Sequence, residues 1–346
     1  MKKAKYLLAY LLPVLVLFSF LNEGWLTFLP LIIYFGFLPV IELFIKPDDS
    51  NWDPDQIEKQ KKSLFYDLII CGMVPVQLFF LAWYLSFDFS SFDITTLIGR
   101  VVSMGMMCAV TGINVGHELA HRVQSWQRYL GDILLLTSLE NHFVPYHNRG
   151  HHTNVATPND PATARLNELL YVFWFRSQIG SYIQAWKIEI QRMKIIKKHP
   201  FSIQNKMIRY TIAHLVLCFG IFYFINIMAL LYFLIAAIIG ILLLETVNYI
   251  EHYGLLRKVL PSGQFERVRR CHSWNSNHVL GRIVLFELSR HSDHHYKADK
   301  PYQVLESHED SPCMPVGYPS MMILSLFPPL FFYIMNNRVK IALEGE

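Results

Sequence analysis

Three short runs of the chain concentrate its histidines: "GHELAHR" at 116–122, "YHNRGHH" at 146–152 and "RHSDHH" at 290–295. His117 and His121 are four residues apart, so on a helix one imidazole stands a turn above the other and both can grip one cation. His147 and His151 repeat that separation, with His152 following directly. His291 and His294 shorten it to three, with His295 beside them. A neutral histidine packs no better than Leu or Met and costs more to bury. Three clusters at ligand spacing therefore point to metal. One zinc is satisfied by three or four ligands, whereas eight imidazoles suit two ions. With nitrogen as the main donor and no thiolate pair nearby, iron, copper, nickel and zinc all fit the donor set. The isolated His142, His199, His214 and His308 read as ordinary hydrogen-bonded residues.

A fourth stretch, "LLLETVNYIEHYGLL", places Glu245, Asn248, Tyr249 and His252 at i, i+3, i+4 and i+7, one stripe of a helix. An acid near the end of an apolar helix is costly unless paired. Glu245, with Asn248, is accordingly a candidate catalytic or metal-facing group, and His252 a ninth ligand. Asp160, Glu251 and Asp293 are candidates to accept the second ring proton of a ligating imidazole, and His272 and His278 in "HSWNSNH" to stand just outside the ligand set. Asn114 shares the face of His117, one turn earlier.

The elements that must carry these residues are apolar blocks. The chain is 53% hydrophobic, and residues 6–22, 27–45, 64–86, 94–113, 208–225 and 227–247 are each long enough to cross most or all of a hydrocarbon layer. The expected fold is all-α: a multi-pass membrane protein of six transmembrane helices with a histidine-rich catalytic cap. The opening segment has the charged and apolar parts of a signal peptide but no small-residue cleavage site, and reads as a retained first span. "NEGW" and "FDFSSF", the turns after spans one and three, hold no Lys or Arg, whereas Lys2, Lys3 and Lys5, the 46–63 loop and the stretches 114–207 and 248–346 hold most of them. The bias places both termini and the catalytic cap in the cytoplasm, as in a bacterial inner membrane. Residues 1–346 are expected to form a single membrane-embedded domain.

Two further apolar stretches do not read as spans. "YVFWFRSQIGSYIQAW" is interrupted by Arg176 and is expected to lie in the interface with the charge toward headgroups. "YPSMMILSLFPPLFFYIM" is broken by Pro328 and Pro329 and is placed against the cytoplasmic face. The five cysteines form no C-x-x-C pair, which argues against a disulfide framework or a thiolate cluster. A formal charge of +4 with no long basic run gives no reason to expect nucleic acid.

Together, "HELAHR", "HNRGHHTNVATPNDPATAR", "NYIEHYGLLR", "HSWNSNH" and "RHSDHH" resemble the integral-membrane alkane hydroxylases (alkane 1-monooxygenases), a branch of the histidine-rich fatty acid desaturase and hydroxylase superfamily. The resemblance runs from about 110 to 335. It implies a non-haem di-iron centre (two Fe2+) held by nine histidines, which match His117, His121, His147, His151, His152, His252, His291, His294 and His295. Tyr146 departs from the pattern, since members often carry Glu before the second cluster. The implied reaction inserts one oxygen atom of O2 into an unactivated terminal C–H bond of an alkane or similar alkyl chain, the other leaving as water. The implied electron donor is a rubredoxin-type carrier with its reductase, because the chain has no four-cysteine iron site of its own. Arg122, Lys297 and Lys300 are candidates to meet that acidic carrier. The apolar substrate would arrive through the bilayer, with "LFFLAWYL" at 78–85 as a candidate channel wall.

Other chemistries fit parts of the pattern. "HELAH" also matches the H-E-x-x-H signature of zinc proteases, with Glu118 as general base, but that leaves the other clusters unemployed. A metal carrier would place its polar site near the bilayer midplane rather than at one face. Desaturation or hydroxylation of an acyl lipid, or oxidation of an alkylaromatic, would use the same metal site.

Overall fold

The computed structural model describes residues 3–344, and among these it is helical, with isolated bridges (Val259 to Phe265, Asn275 to Cys313) in place of strands. Six helices are long and apolar enough to cross a membrane: α1 Ala4–Leu21, α2 Gly24–Glu42, α4 Leu64–Leu85, α5 Ile94–Ala120, α9 Lys206–Phe224 and α10 Ile227–His252. Between and after them lie α3 Pro54–Lys61, α6 Ser125–Leu136, α7 over 143–154, α8 Leu170–Ile195, α11 Val279–Val284, α12 His291–Tyr296, α13 Tyr318–Ser325 and α14 Pro328–Glu344. The helix starts follow local chemistry. Asp93 caps α5 by accepting from the backbone N–H groups of Thr95 and Thr96, and Asn205 caps α9 through Met207.

The apolar blocks end near 113 and 247, and the helices that carry them run on, α5 to Ala120 and α10 to His252, as the helical stripe from Glu245 to His252 requires. An unbroken helix satisfies its own backbone groups wherever it runs. His117 and His252 therefore ride on the spans themselves. The proline break is where the sequence places it, with α13 ending at Ser325 and α14 beginning at Pro328.

The chain divides into two compact units. The first comprises Met1–Phe37, Leu64–Val144 and Trp186–Leu244. Its helices approach closely through small residues, as helices in lipid do. A Cβ at Gly131 of α6 would meet the Gly116 carbonyl at 2.9 Å and Leu119 at 3.1 Å, and one at Gly240 of α10 would meet Cys108 at 2.7 Å. Replacing Gly131 by Val is therefore expected to force α6 away from the "HELAH" segment and to destabilise the protein by about 1–3 kcal/mol. Thermal unfolding in detergent reads this directly, and an unchanged midpoint would mean that the helices part without cost.

The second unit comprises Leu38–Ser63, Pro145–Ala185 and Glu245–Glu346. Backbone bonds and arginines lace it together. Arg290, just before α12, donates to the carbonyls of Leu305 at 2.6 Å and Ser50 at 2.8 Å, and Arg282 pairs with Glu287 at 2.5 Å. "HSWNSNH" is part of this lacing. Trp274 donates through its backbone to Glu251 and through its indole to the Tyr253 carbonyl, both at 2.9 Å, while Ser276 and Ser289 exchange bonds at 2.8 and 3.0 Å. The end of α10 is thus tied to the approach to α12. Arg176 is not turned toward headgroups as expected: its guanidinium holds Glu168 at 2.6 Å and the carbonyls of Pro161 and Thr163 at 2.9 and 3.1 Å. A carboxylate within the same unit, not a headgroup, answers that charge.

Candidate metal centre

In the first unit, His117 and His121 lie at the end of α5 with their Nε2 atoms 3.1 Å apart. Directly before them, Cys108–Asn114 winds as a π-turn. The Thr111 hydroxyl in that turn shares its one proton between the Gln77 amide oxygen and the Met107 carbonyl. π-Turns inside α-helices are frequent at functional sites, because the extra residue re-aims the side chains that follow. Asn114, expected one α-turn before His117, is part of this wider turn. Glu118 is held at 3.1 Å by Arg122, which also faces Asp67 at 3.4 Å. It is engaged as an ion-pair partner, not posed as the general base of a protease.

In the second unit, the middle cluster makes the same use of backbone. His147–His151 is another π-turn, closed by the bond from the His152 N–H to the His147 carbonyl. A bond from i+5 to i brings His152 over His147, and their Nε2 atoms approach to 3.0 Å. His151 is directed elsewhere. Its Nε2 lies 3.2 Å from Nε2 of His295, and Nε2 of His252 lies 3.1 Å from that of His291. One ligand atom from each of His151, His252, His291 and His295 falls within 4.8 Å of the others, and all four side chains are buried. His294 stacks its ring on His147 at 5.9 Å and meets His152 edge-on at 4.9 Å.

These contacts fit a metal. Imidazole nitrogens bound at about 2.0–2.1 Å on adjacent vertices of a coordination shell stand roughly 3.0–3.4 Å apart, which matches the spacings here. The chemical state fits as well. Burial, with His291, His152, His151 and His252 around it, pushes His295 well below the usual imidazole range, so its ring stays neutral. A metal ligand must be neutral.

Behind the four rings stands a carboxylate. The Nδ1 of His151 meets Oδ2 of Asp160 at 2.9 Å, which leaves Nε2 as the lone-pair nitrogen. Thr163 donates to the same oxygen at 2.7 Å, and the Tyr146 hydroxyl to the other at 2.6 Å. Burial alone would raise the Asp160 carboxyl, but His151 and these donors hold it down at about 2. Sequence reasoning named Asp160 and marked Tyr146 only as a departure from the resemblance; its hydroxyl stands where Glu is common and bonds Asp160.

The other expected residues sort by contact. Glu251, expected to take the outer ring proton of an imidazole, instead stands with Oε2 3.2 Å from Nε2 of His291, the nitrogen that faces His252, and takes the Tyr318 hydroxyl on Oε1 at 2.8 Å. Glu245 is buried on the same helix and accepts from Asn248 at 3.4 Å. Asp293, expected beside a cluster imidazole, instead serves Lys300 at 2.7 Å, the backbone of Glu306 at 2.9 Å and His308 at 3.0 Å. Those donors come from the loop after α12 and hold its carboxylate there. His272 faces Glu266 at 3.3 Å, and His278 faces Ser276 at 3.1 Å. Lys300 and Arg122, read as docking charges for a carrier, are both engaged with carboxylates inside the protein.

A profile of the fatty acid desaturase family matches residues 95–322. The chain is 36% identical over 359 aligned positions to alkane 1-monooxygenase 2 of Alcanivorax borkumensis, covering 100% of this chain and 93% of that one. It is 35% identical to alkane 1-monooxygenase 1 of Pseudomonas aeruginosa, over 94% of this chain and 86% of the relative. The chain belongs to the alkane 1-monooxygenase branch of the fatty acid desaturase family. Outside that branch, the xylene/toluene monooxygenase hydroxylase component of Pseudomonas putida is 27% identical over 68% of the chain. For an alkane hydroxylase family member, the six spans and the clustered histidines are the parts that the sequence resemblance implied.

Proposed function

We propose that this protein is a membrane monooxygenase that converts an alkane, or a similar alkyl chain, to the terminal alcohol. The observation that carries the reading is the buried set His151, His252, His291 and His295, with Asp160 fixing one ring, in a chain whose full length resembles alkane 1-monooxygenases. The nine histidines are proposed to hold two iron ions, which supply the power to activate O2 and to break an unactivated C–H bond. The balance is one alkane, one O2, two electrons and two protons giving one alcohol and one water.

The chain's own residues do the arranging. Asp160 orients the His151 imidazole through Nδ1, and burial of the rings keeps bulk water off their lone pairs. Glu245 and Asn248, on the stripe of α10 that ends in His252, are proposed as the polar pair nearest the reacting end of the substrate. The alkyl chain is proposed to enter from the bilayer, where it partitions. The cysteines are scattered, so the electrons are proposed to arrive on a separate rubredoxin-type carrier at the cytoplasmic face, the side to which the charge bias is proposed to assign the termini and the segments 114–207 and 248–346.

The alkylaromatic relative favours a second substrate class at the same centre. Product analysis separates the two. Purified protein with rubredoxin, its reductase and reductant is expected to yield 1-alcohols from medium-chain alkanes. Benzylic alcohols alone would move the substrate to alkylaromatics, and an alkene as the only product would overturn hydroxylation.

A further inference from the structure

We propose that Tyr146, acting through Asp160, sets how strongly His151 donates to its metal and so tunes the reduction potential of the centre. The inference rests on the metal reading above and concerns a residue to which that reading gives no role. Tyr146 is a positioning and tuning residue, since its hydroxyl touches the carboxylate and not the metal-facing nitrogen.

The bond directions are fixed by inventory. The backbone N–H of Ala162 can only donate, and it is shared between the Tyr146 oxygen at 3.1 Å and Oδ1 of Asp160 at 3.3 Å, so the phenol proton is left for Oδ1 of Asp160 at 2.6 Å. Asp160 has only acceptor capacity when ionised, and its Oδ2 already takes Thr163 at 2.7 Å and His151 at 2.9 Å. Tyr146 and Asp160 are both buried, so no bulk water competes for these bonds.

A carboxylate that accepts the outer N–H of a ligating imidazole raises the basicity of that ligand. Its negative charge is shared among all its donors, and in a dry, low-dielectric setting each donor polarises the rest. The phenol therefore withdraws charge that would otherwise pull on the His151 proton. Without it, His151 acquires more imidazolate character, favours the more positive state of the metal, and the potential falls. A stronger phenol donor acts in the opposite sense.

The test uses the full-length, iron-loaded protein in detergent, with iron content measured first and the potential then read by redox titration followed by EPR. Tyr146→Phe keeps the ring and loses the hydroxyl, and its potential is expected below that of the unsubstituted protein. Placing 3-fluorotyrosine at position 146 makes the phenol more acidic, and its potential is expected above. A purely structural role would not give shifts of opposite sign. Unshifted potentials with iron retained, or two shifts in the same direction, would overturn the proposal. Should Tyr146→Phe not fold, the fluorinated protein decides alone, an upward shift supporting the proposal and no shift overturning it. Absence of iron from the unsubstituted protein would instead remove the metal reading on which the proposal depends.

Discussion

Replacing His252 by alanine is expected to abolish turnover and to lower iron from about two ions per chain to about one. Few side chains in the structure are better placed to show it. His252 ends α10, is fully buried, and brings Nε2 to 3.1 Å from His291 while its ring centroid lies 4.8 Å from His151 and 5.0 Å from His295. Loss of a group that merely orients a ligand costs about 10–100-fold, so loss of the ligand itself should exceed the upper end of that range. The surrounding backbone does not depend on the imidazole. Gly254 still bonds the Ala164 carbonyl at 2.9 Å and Trp274 still bonds Glu251 at 2.9 Å, so the helix end should stay docked. Metal analysis beside circular dichroism checks both halves, and full iron with normal turnover would take His252 out of the ligand set.

Asp160→Asn is expected to have the next largest effect, weakening metal affinity by about 10–100-fold while leaving the fold intact. The carboxamide keeps the shape but offers only one acceptor atom. Tyr146 and Thr163 both need an acceptor, and if the oxygen serves one side, the amide N–H2 turns toward the other. Where it faces Nδ1 of His151 it meets a donor with a donor, and the ring relieves the clash by moving its proton to Nε2, the nitrogen meant for metal. Stability should respond to acid as well. The Asp160 carboxyl is held at about 2 in the folded chain, below the unfolded value of about 3.9. Its stabilising contribution is then complete above the unfolded value and is lost as pH falls toward about 2. Metal-free Asp160→Asn should lack that part of the acid limb. A chelator competition and a pH series of unfolding midpoints test the two effects, and affinity equal to that of the unsubstituted protein would contradict the assigned bond.

Much of the site is written in the spacing. The i, i+4 pair in "HELAH", the stripe from Glu245 to His252 and the dense "HSDHH" each name candidate ligands without a structure, because helical periodicity alone puts those residues on one face. The six apolar blocks likewise fix the number of spans. What spacing leaves out is backbone irregularity and distant pairing. Nothing in "CAVTGIN" or "HNRGH" marks a π-turn, yet two such turns aim the first two clusters. Asp160 sits nine residues beyond His151, and its link to Tyr146 spans fourteen, so only the folded loop reveals the three as one chain of bonds. The charges misled for the same reason. Arg176, Arg122 and Lys300 look free in the sequence, and each has a carboxylate partner that folding brings to it.

The most direct test of the account is the metal content of protein purified under oxygen-free conditions, read by elemental analysis and, after growth on 57Fe, by Mössbauer spectroscopy. About two irons per chain in a nitrogen-rich ferrous environment, falling when His151, His252, His291 or His295 is replaced, is the expected result. One zinc and no iron, or iron content indifferent to all four replacements, would contradict it.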